Sequence, residues 1–111
     1  MTRIETYKKA LEFEDKVLFL TAQLRHRNRC LVDLLEETVA CFSQNLAQVY
    51  KSACHRDIIS CKVAVWGNCL KCGALLFFLR KRGAIGKLTY AVLKADIEKI
   101  TDIVEKELLC G

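Results

Sequence analysis

The sequence predicts an all-α domain of about four long amphipathic helices, arranged as an antiparallel bundle or as paired helical hairpins. Three observations lead there. The 111 residues contain no proline, and no glycine stands before Gly67, so the first half lacks the turn chemistry that a many-stranded sandwich or barrel requires. Apolar residues from Ala10 to Ala53 recur at intervals of three and four, the period of a helix face and not of a strand. Polar or glycine-bearing clusters at 25–29, 52–57 and 83–86 cut the chain into segments of helical length joined by short turns.

A chain of this length makes one domain, 1–111, able to bury roughly two thirds of its unfolded surface. With 52% hydrophobic residues it is too apolar to remain disordered. No internal repeat, linker or low-complexity tract divides it.

Thr2 and Glu5 have the spacing of a capping box and start the first helix. Its apolar face is Ala10, Phe13, Val17, Leu20 and Leu24. The register resumes beyond the polar cluster as Leu31, Leu34 or Leu35, Thr38, Phe42, Leu46, Val49 and Ala53, so one helix from 3 to 53 competes with two. A break at Asn28 is the better reading. Asn tolerates the left-handed conformation of helix ends, Arg25 and Arg29 would repel each other four apart on a continuous helix, and Asp33, Glu36 and Glu37 then fall in early turns, where the helix dipole favours acids.

Ser52 to Asp57 reads as the second turn, with Asp57 as N-cap of the third helix. That helix is apolar except for a narrow stripe of Asn68, Lys71 and Arg82, which predicts burial nearly all round at the centre of the bundle. Gly67 and Gly73 lower its helicity by about 1 kcal/mol each and leave room for a neighbouring backbone. Gly83 falls at the position after a helix end. The last helix runs from Lys87 or Leu88 to about Leu109, with Val92 or Leu93, Ile97, Ile100, Ile103 or Val104 and Leu108 inward and acids outward. Long amphipathic helices in so short a chain often share a core with a second copy, so a homodimer is expected.

The N-terminal residues mix acids with cations ahead of any apolar run, unlike a secretory or transit signal. Seven cysteines, an odd number, then read as reduced thiols in the cytoplasm or nucleus. Cys69-Leu70-Lys71-Cys72 has the form of one zinc knuckle. A zinc site would need Cys54 and Cys61 as well, at spacings that match no common module, so buried thiols without metal or other cofactor are the expectation. A redox role lacks the strand–helix alternation and the proline of thioredoxin-like folds. Val63 to Leu79 approaches the length of a membrane span, but Lys71 at its middle costs roughly 2.5–3.5 kcal/mol and argues for a buried helix instead. No phosphate loop, HExxH or paired-carboxylate motif is present. His26 and Cys30, four apart, have no third group to orient them, and the chain is expected not to be an enzyme.

The charge distribution carries the functional expectation. The net +5 is uneven: residues 1–50 balance at seven cations and seven acids, 51–94 hold nine cations against one acid, and 95–111 hold two against five. Arg80, Lys81, Arg82 and Lys87 cluster at one turn, and Arg25, Arg27 and Arg29 at another. In an alternating bundle the first and third turns share an end. Together they would form a patch suited to phosphate oxygens, with duplex RNA the favoured ligand. The aromatics Phe13, Phe42, Trp66, Phe77 and Tyr90 fall on apolar stripes, which disfavours base stacking. Two other readings stand beside it: acids of the last helix could neutralise the middle segment within the fold, or the chain could be a helical adaptor for another protein.

Overall fold

The structure, a computed structural model, describes residues 3–24, 28–51 and 55–109. Four helices account for nearly all of them: α1 (Arg3–Leu24), α2 (Arg29–Lys51), α3 (His55–Lys81) and α4 (Lys87–Ile103), the last continuing as a π-helical end, Val104–Leu109. Each helix packs against its two neighbours in cyclic order, whereas among the described residues the backbones of α1 and α3, and of α2 and α4, stand farther apart across the core. The cross-section is therefore a square with α1 and α3 at opposite corners. Adjacent helices run antiparallel. Trp66 meets Glu105 while Cys69, later in α3, lies beside Thr101, earlier in α4; Lys16 meets Asp96 while Gln23 lies near Leu88. The molecule is 42 Å long, about one 27-residue helix at 1.5 Å per residue.

The core follows the three-and-four spacing on every helix. Ala10, Phe13 and Val17 of α1, Leu35, Val39, Phe42, Leu46 and Val49 of α2, Val65, Cys69, Cys72, Leu76 and Leu79 of α3, and Leu93, Ile97, Ile100 and Val104 of α4 are buried. The open alternatives resolve to Leu35 over Leu34, Leu93 over Val92 and Val104 over Ile103. The hydroxyls of Thr21, Thr38, Ser43 and Thr101 donate to carbonyls of their own helices. Thr38 Oγ1 donates to the Leu34 carbonyl and Thr101 Oγ1 to that of Ile97, both at 2.6 Å. Asn45 Nδ2 donates to Asn68 Oδ1 at 2.9 Å, joining α2 to α3. Among the described residues no buried side-chain nitrogen or oxygen lacks a partner.

The break between the first two helices stands at Asn28, whose φ of 54° is left-handed and whose carbonyl accepts from Val32 N at 3.0 Å to open α2. Thr2 lies outside the described residues. Asp57 is not a cap: α3 begins two residues earlier, at His55. The expectation of a central, wholly buried α3 is also corrected. In a square bundle every helix has two neighbours and keeps an outer face, and that of α3 leaves Ile59, Val63, Leu70, Phe77 and Phe78 each about half exposed. Ile58–Lys81 is long and apolar enough to cross a membrane by length and composition alone. In the bundle its inner face packs on α2 and α4, and Lys71 stands on its exposed side.

Candidate nucleic-acid interface

The turn between α3 and α4 is built by a Schellman motif. Ala84 N donates to the Leu79 carbonyl at 2.9 Å and Gly83 N to that of Arg80 at 3.0 Å, the two reversed bonds that close a helix around a left-handed residue. Gly83 supplies that residue with φ of 74°, a conformation a Cβ would strain. Ile85, buried, pins the turn to the core. Gly86 then enters α4 in an extended conformation with no side-chain cap, so the positive end of the α4 dipole is left to solvent.

Around this rigid turn stand Arg80, half-buried, and Lys81, Arg82 and Lys87, all exposed. Among the described residues none of the four has an ion-pair partner. The acids of α4 are engaged elsewhere: Asp96 with Lys16 at 2.9 Å, Asp102 with Lys106 at 3.0 Å, Glu98 with Lys94 at 3.9 Å. Glu105 accepts from Trp66 Nε1 at 3.1 Å. These are surface pairs worth roughly 0–1 kcal/mol each, and none reaches the 80–87 turn.

Antiparallel packing puts the end of α1 at Leu24 and the start of α2 at Arg29 at the same end of the bundle as 81–87. Arg29 opens α2 there with its side chain 86% exposed and, among the described residues, a long 3.9 Å contact to Asp33. Arg25 and Arg27, with His26, lie outside the described residues. The end of the bundle thus carries five of the seven cations expected from sequence in described positions.

The remaining candidates have different surroundings. Cys69 and Cys72 are buried in the core, and burial pushes both thiols from 9.0 up to about 12, which holds them protonated. Cys61 is half-buried, Cys30 is exposed, and Cys54 lies outside the described residues. Among the described residues no three His, Cys, Asp or Glu side chains come together as a metal site would need. Phe13 and Phe42 are core residues as expected, whereas Phe77 and Phe78 project outward, edge to face at 5.9 Å.

One surface feature escaped the sequence reading. Phe19, Leu20, Leu88, Val92 and Leu93 line a hollow of about 370 Å³ between α1 and α4, next to the basic turn. Phe19 and Leu88 are 72% and 79% exposed. The available signal was that both fall out of register with the inward stripes of their helices.

The fold is that of a solved structure from Bacteroides thetaiotaomicron VPI-5482, a protein with unknown function from the S23 ribosomal protein family. The two superpose with a TM-score of 0.86 over 93% of this chain and 97% of the other, at 14% sequence identity. No family model matches the chain, and no curated protein matches it either.

Proposed function

We propose that this chain is a non-enzymatic nucleic-acid-binding protein that holds duplex RNA by its phosphate backbone, with the 80–87 turn as the principal contact. The observation that carries the reading is the group of four cations around a rigid turn, with no carboxylate among the described residues to neutralise them. Phosphate binding needs clustered Lys and Arg held in place, and little else. The structural neighbour bears the name of a ribosomal protein family, which favours RNA as the polyanion. Arg29, exposed at the start of α2, extends the surface, and Arg25 and Arg27, outside the described residues, add to the reading by their charge in the sequence.

Titration of duplex RNA, duplex DNA and an acidic polypeptide across a salt series tests this. Retention of RNA should weaken linearly in log K against log salt, with a slope of roughly −4 to −5 for four to six phosphate contacts. Replacing Arg80, Lys81 and Arg82 by Ala should lower affinity at least about tenfold and leave the helical spectrum unchanged, since exposed cations at a helix end add little stability. No retention of either duplex near physiological salt would sink the proposal and favour the protein adaptor. Equal affinity for all three polymers would reduce the patch to a general basic surface.

A further inference from the structure

Three of the five phenylalanines stand open to solvent, and all three are at the end of the bundle that carries the cations. Phe77 and Phe78, each 48% exposed, lie one turn before the end of α3. Helical spacing puts Phe77 next to Arg80 and Lys81, and Phe78 next to Lys81 and Arg82. The bond from Arg82 N to the Phe78 carbonyl, at 3.0 Å, carries the helical turn as far as Arg82. Phe19 lines the α1–α4 hollow with Leu88, which follows Lys87 at the start of α4. Exposed rings therefore flank the 80–87 turn on both sides, on α3 before it and beside α4 after it. The apolar spacing of α3 argued against base stacking by Phe77, yet in the structure that ring is half open to water.

A phosphate site needs no rings. Cations alone hold a duplex backbone, and a duplex keeps its bases stacked inside, so it offers a phenylalanine no free base face. Surfaces that combine cations with open aromatic rings suit unpaired nucleic acid, in which the cations take the phosphates and the rings take the bases. The charge here is complementary to that ligand: among the described residues Arg80, Lys81, Arg82 and Lys87 have no acid partner. Lys16, at the edge of the hollow, is held by Asp96 at 2.9 Å, which leaves Lys87 as the cation of that side.

We infer that this end of the bundle binds RNA at a junction, where a strand leaves a duplex unpaired, and that bases of this strand stack on Phe77 and Phe78 and, across the turn, on Phe19. The hollow of about 370 Å³ has room for a single base. Gln23 and Thr89 line it with groups able to hydrogen-bond a base edge. The inference rests on the reading of the turn as a phosphate site and names the class of RNA selected there: hairpins, overhangs and bulges over plain duplex.

Three RNA probes test it: a blunt duplex, the same duplex with a tail of about six unpaired nucleotides, and the same tail made of abasic residues, which keeps the phosphates and removes the bases. The base-bearing tail should bind at least about fivefold tighter than the abasic one. That ratio should hold across a salt series, because the two tails release the same counterions. Phe77→Leu with Phe78→Leu should bring the ratio close to one, and Phe19→Leu should lower it, while affinity for the blunt duplex stays unchanged in both; leucine keeps the apolar area and removes the flat ring. A 5-iodouracil in the tail gives a readout that needs no variant, and on illumination it should crosslink to peptides containing Phe77 and Phe78 or Phe19. Equal affinity for the two tails, a ratio that the variants leave unchanged, variants that weaken blunt and tailed RNA alike, or crosslinks confined to other peptides would each overturn the inference. The blunt duplex tests the turn separately: its loss with ring-dependent tail binding intact would sink the duplex reading and leave the stacking site standing.

Discussion

Helices α2 and α3 are adjacent and similar in length, yet they use their apolar residues differently. On α2 the run Val32, Leu35, Val39, Phe42, Leu46 and Val49 faces inward, and Asp33, Glu37, Gln44, Gln48 and Lys51 face water. On α3 an equivalent inward run, Val65, Cys69, Cys72, Leu76 and Leu79, is accompanied by a second one, Ile59, Val63, Leu70 and Phe77, turned outward. The fold consumes the apolar pattern of α2 except for Leu34, and only half that of α3. A helix with more apolar surface than its own bundle can cover points beyond the chain. The comparison separates residues that hold the bundle together from apolar residues that it leaves exposed.

The largest expected effect tests whether the two inner runs are equivalent. Phe42→Ala on α2 should cost about 3–5 kcal/mol and Leu76→Ala on α3 about 2–5 kcal/mol, since each empties a fully buried site. Urea unfolding by circular dichroism measures both. A cost below about 1 kcal/mol for Leu76→Ala would mean that α3 does not sit in the core as described, and the contrast with α2 would fail.

This asymmetry also explains how much could be read from the sequence. Where a helix has one apolar stripe and a polar remainder, the period alone identifies the buried face, as it does for Phe13 and Val17 on α1 and for Phe42 and Leu46 on α2. On α3 the period is present twice. A single chain's pattern cannot say which run meets its own bundle and which meets something else, and the sequence reading merged the two into a helix buried all round. Gly83 was legible because a left-handed helix end has a specific chemical requirement. The basic cluster was legible as charge; that no carboxylate among the described residues answers it needed coordinates. The hollow at Phe19 and Leu88 was invisible for a related reason, since it is made by two helices distant in sequence, each contributing residues that look like ordinary exposed side chains.

A smaller effect distinguishes the inner run of α3 by its chemistry. Cys69 and Cys72 ionise at about 12 in the folded chain and near 9.0 when unfolded. Between those values the unfolded state loses thiol protons that the folded state keeps, so stability falls as pH rises from about 9 and is unaffected by these groups below it. Each thiol should contribute about 1 kcal/mol of loss between pH 8 and pH 10. The double variant Cys69→Ala, Cys72→Ala should lack this part of the alkaline loss. Urea midpoints at the two pH values give the comparison, and identical pH dependence in the variant would show that the thiols are solvated in the folded state.

The smallest effect is the sharpest test of the outer run. Phe78 is half exposed on the monomer, so Phe78→Gln removes little buried area and should change the stability of the isolated chain by no more than about 0.5 kcal/mol, as exposed substitutions away from special features do. The same residue should matter when RNA is bound. A ligand held by the folded state stabilises it by mass action, so the midpoint of the unaltered chain should rise with the concentration of duplex RNA carrying an unpaired tail. The midpoint of Phe78→Gln should rise far less over the same range, and the two curves should converge as the RNA is diluted out. A loss near that of Phe42→Ala at every concentration would place Phe78 in the core. Parallel curves for the two proteins would instead show that the outer run of α3 takes no part in binding, leaving its apolar residues without the role that distinguishes them from the polar face of α2.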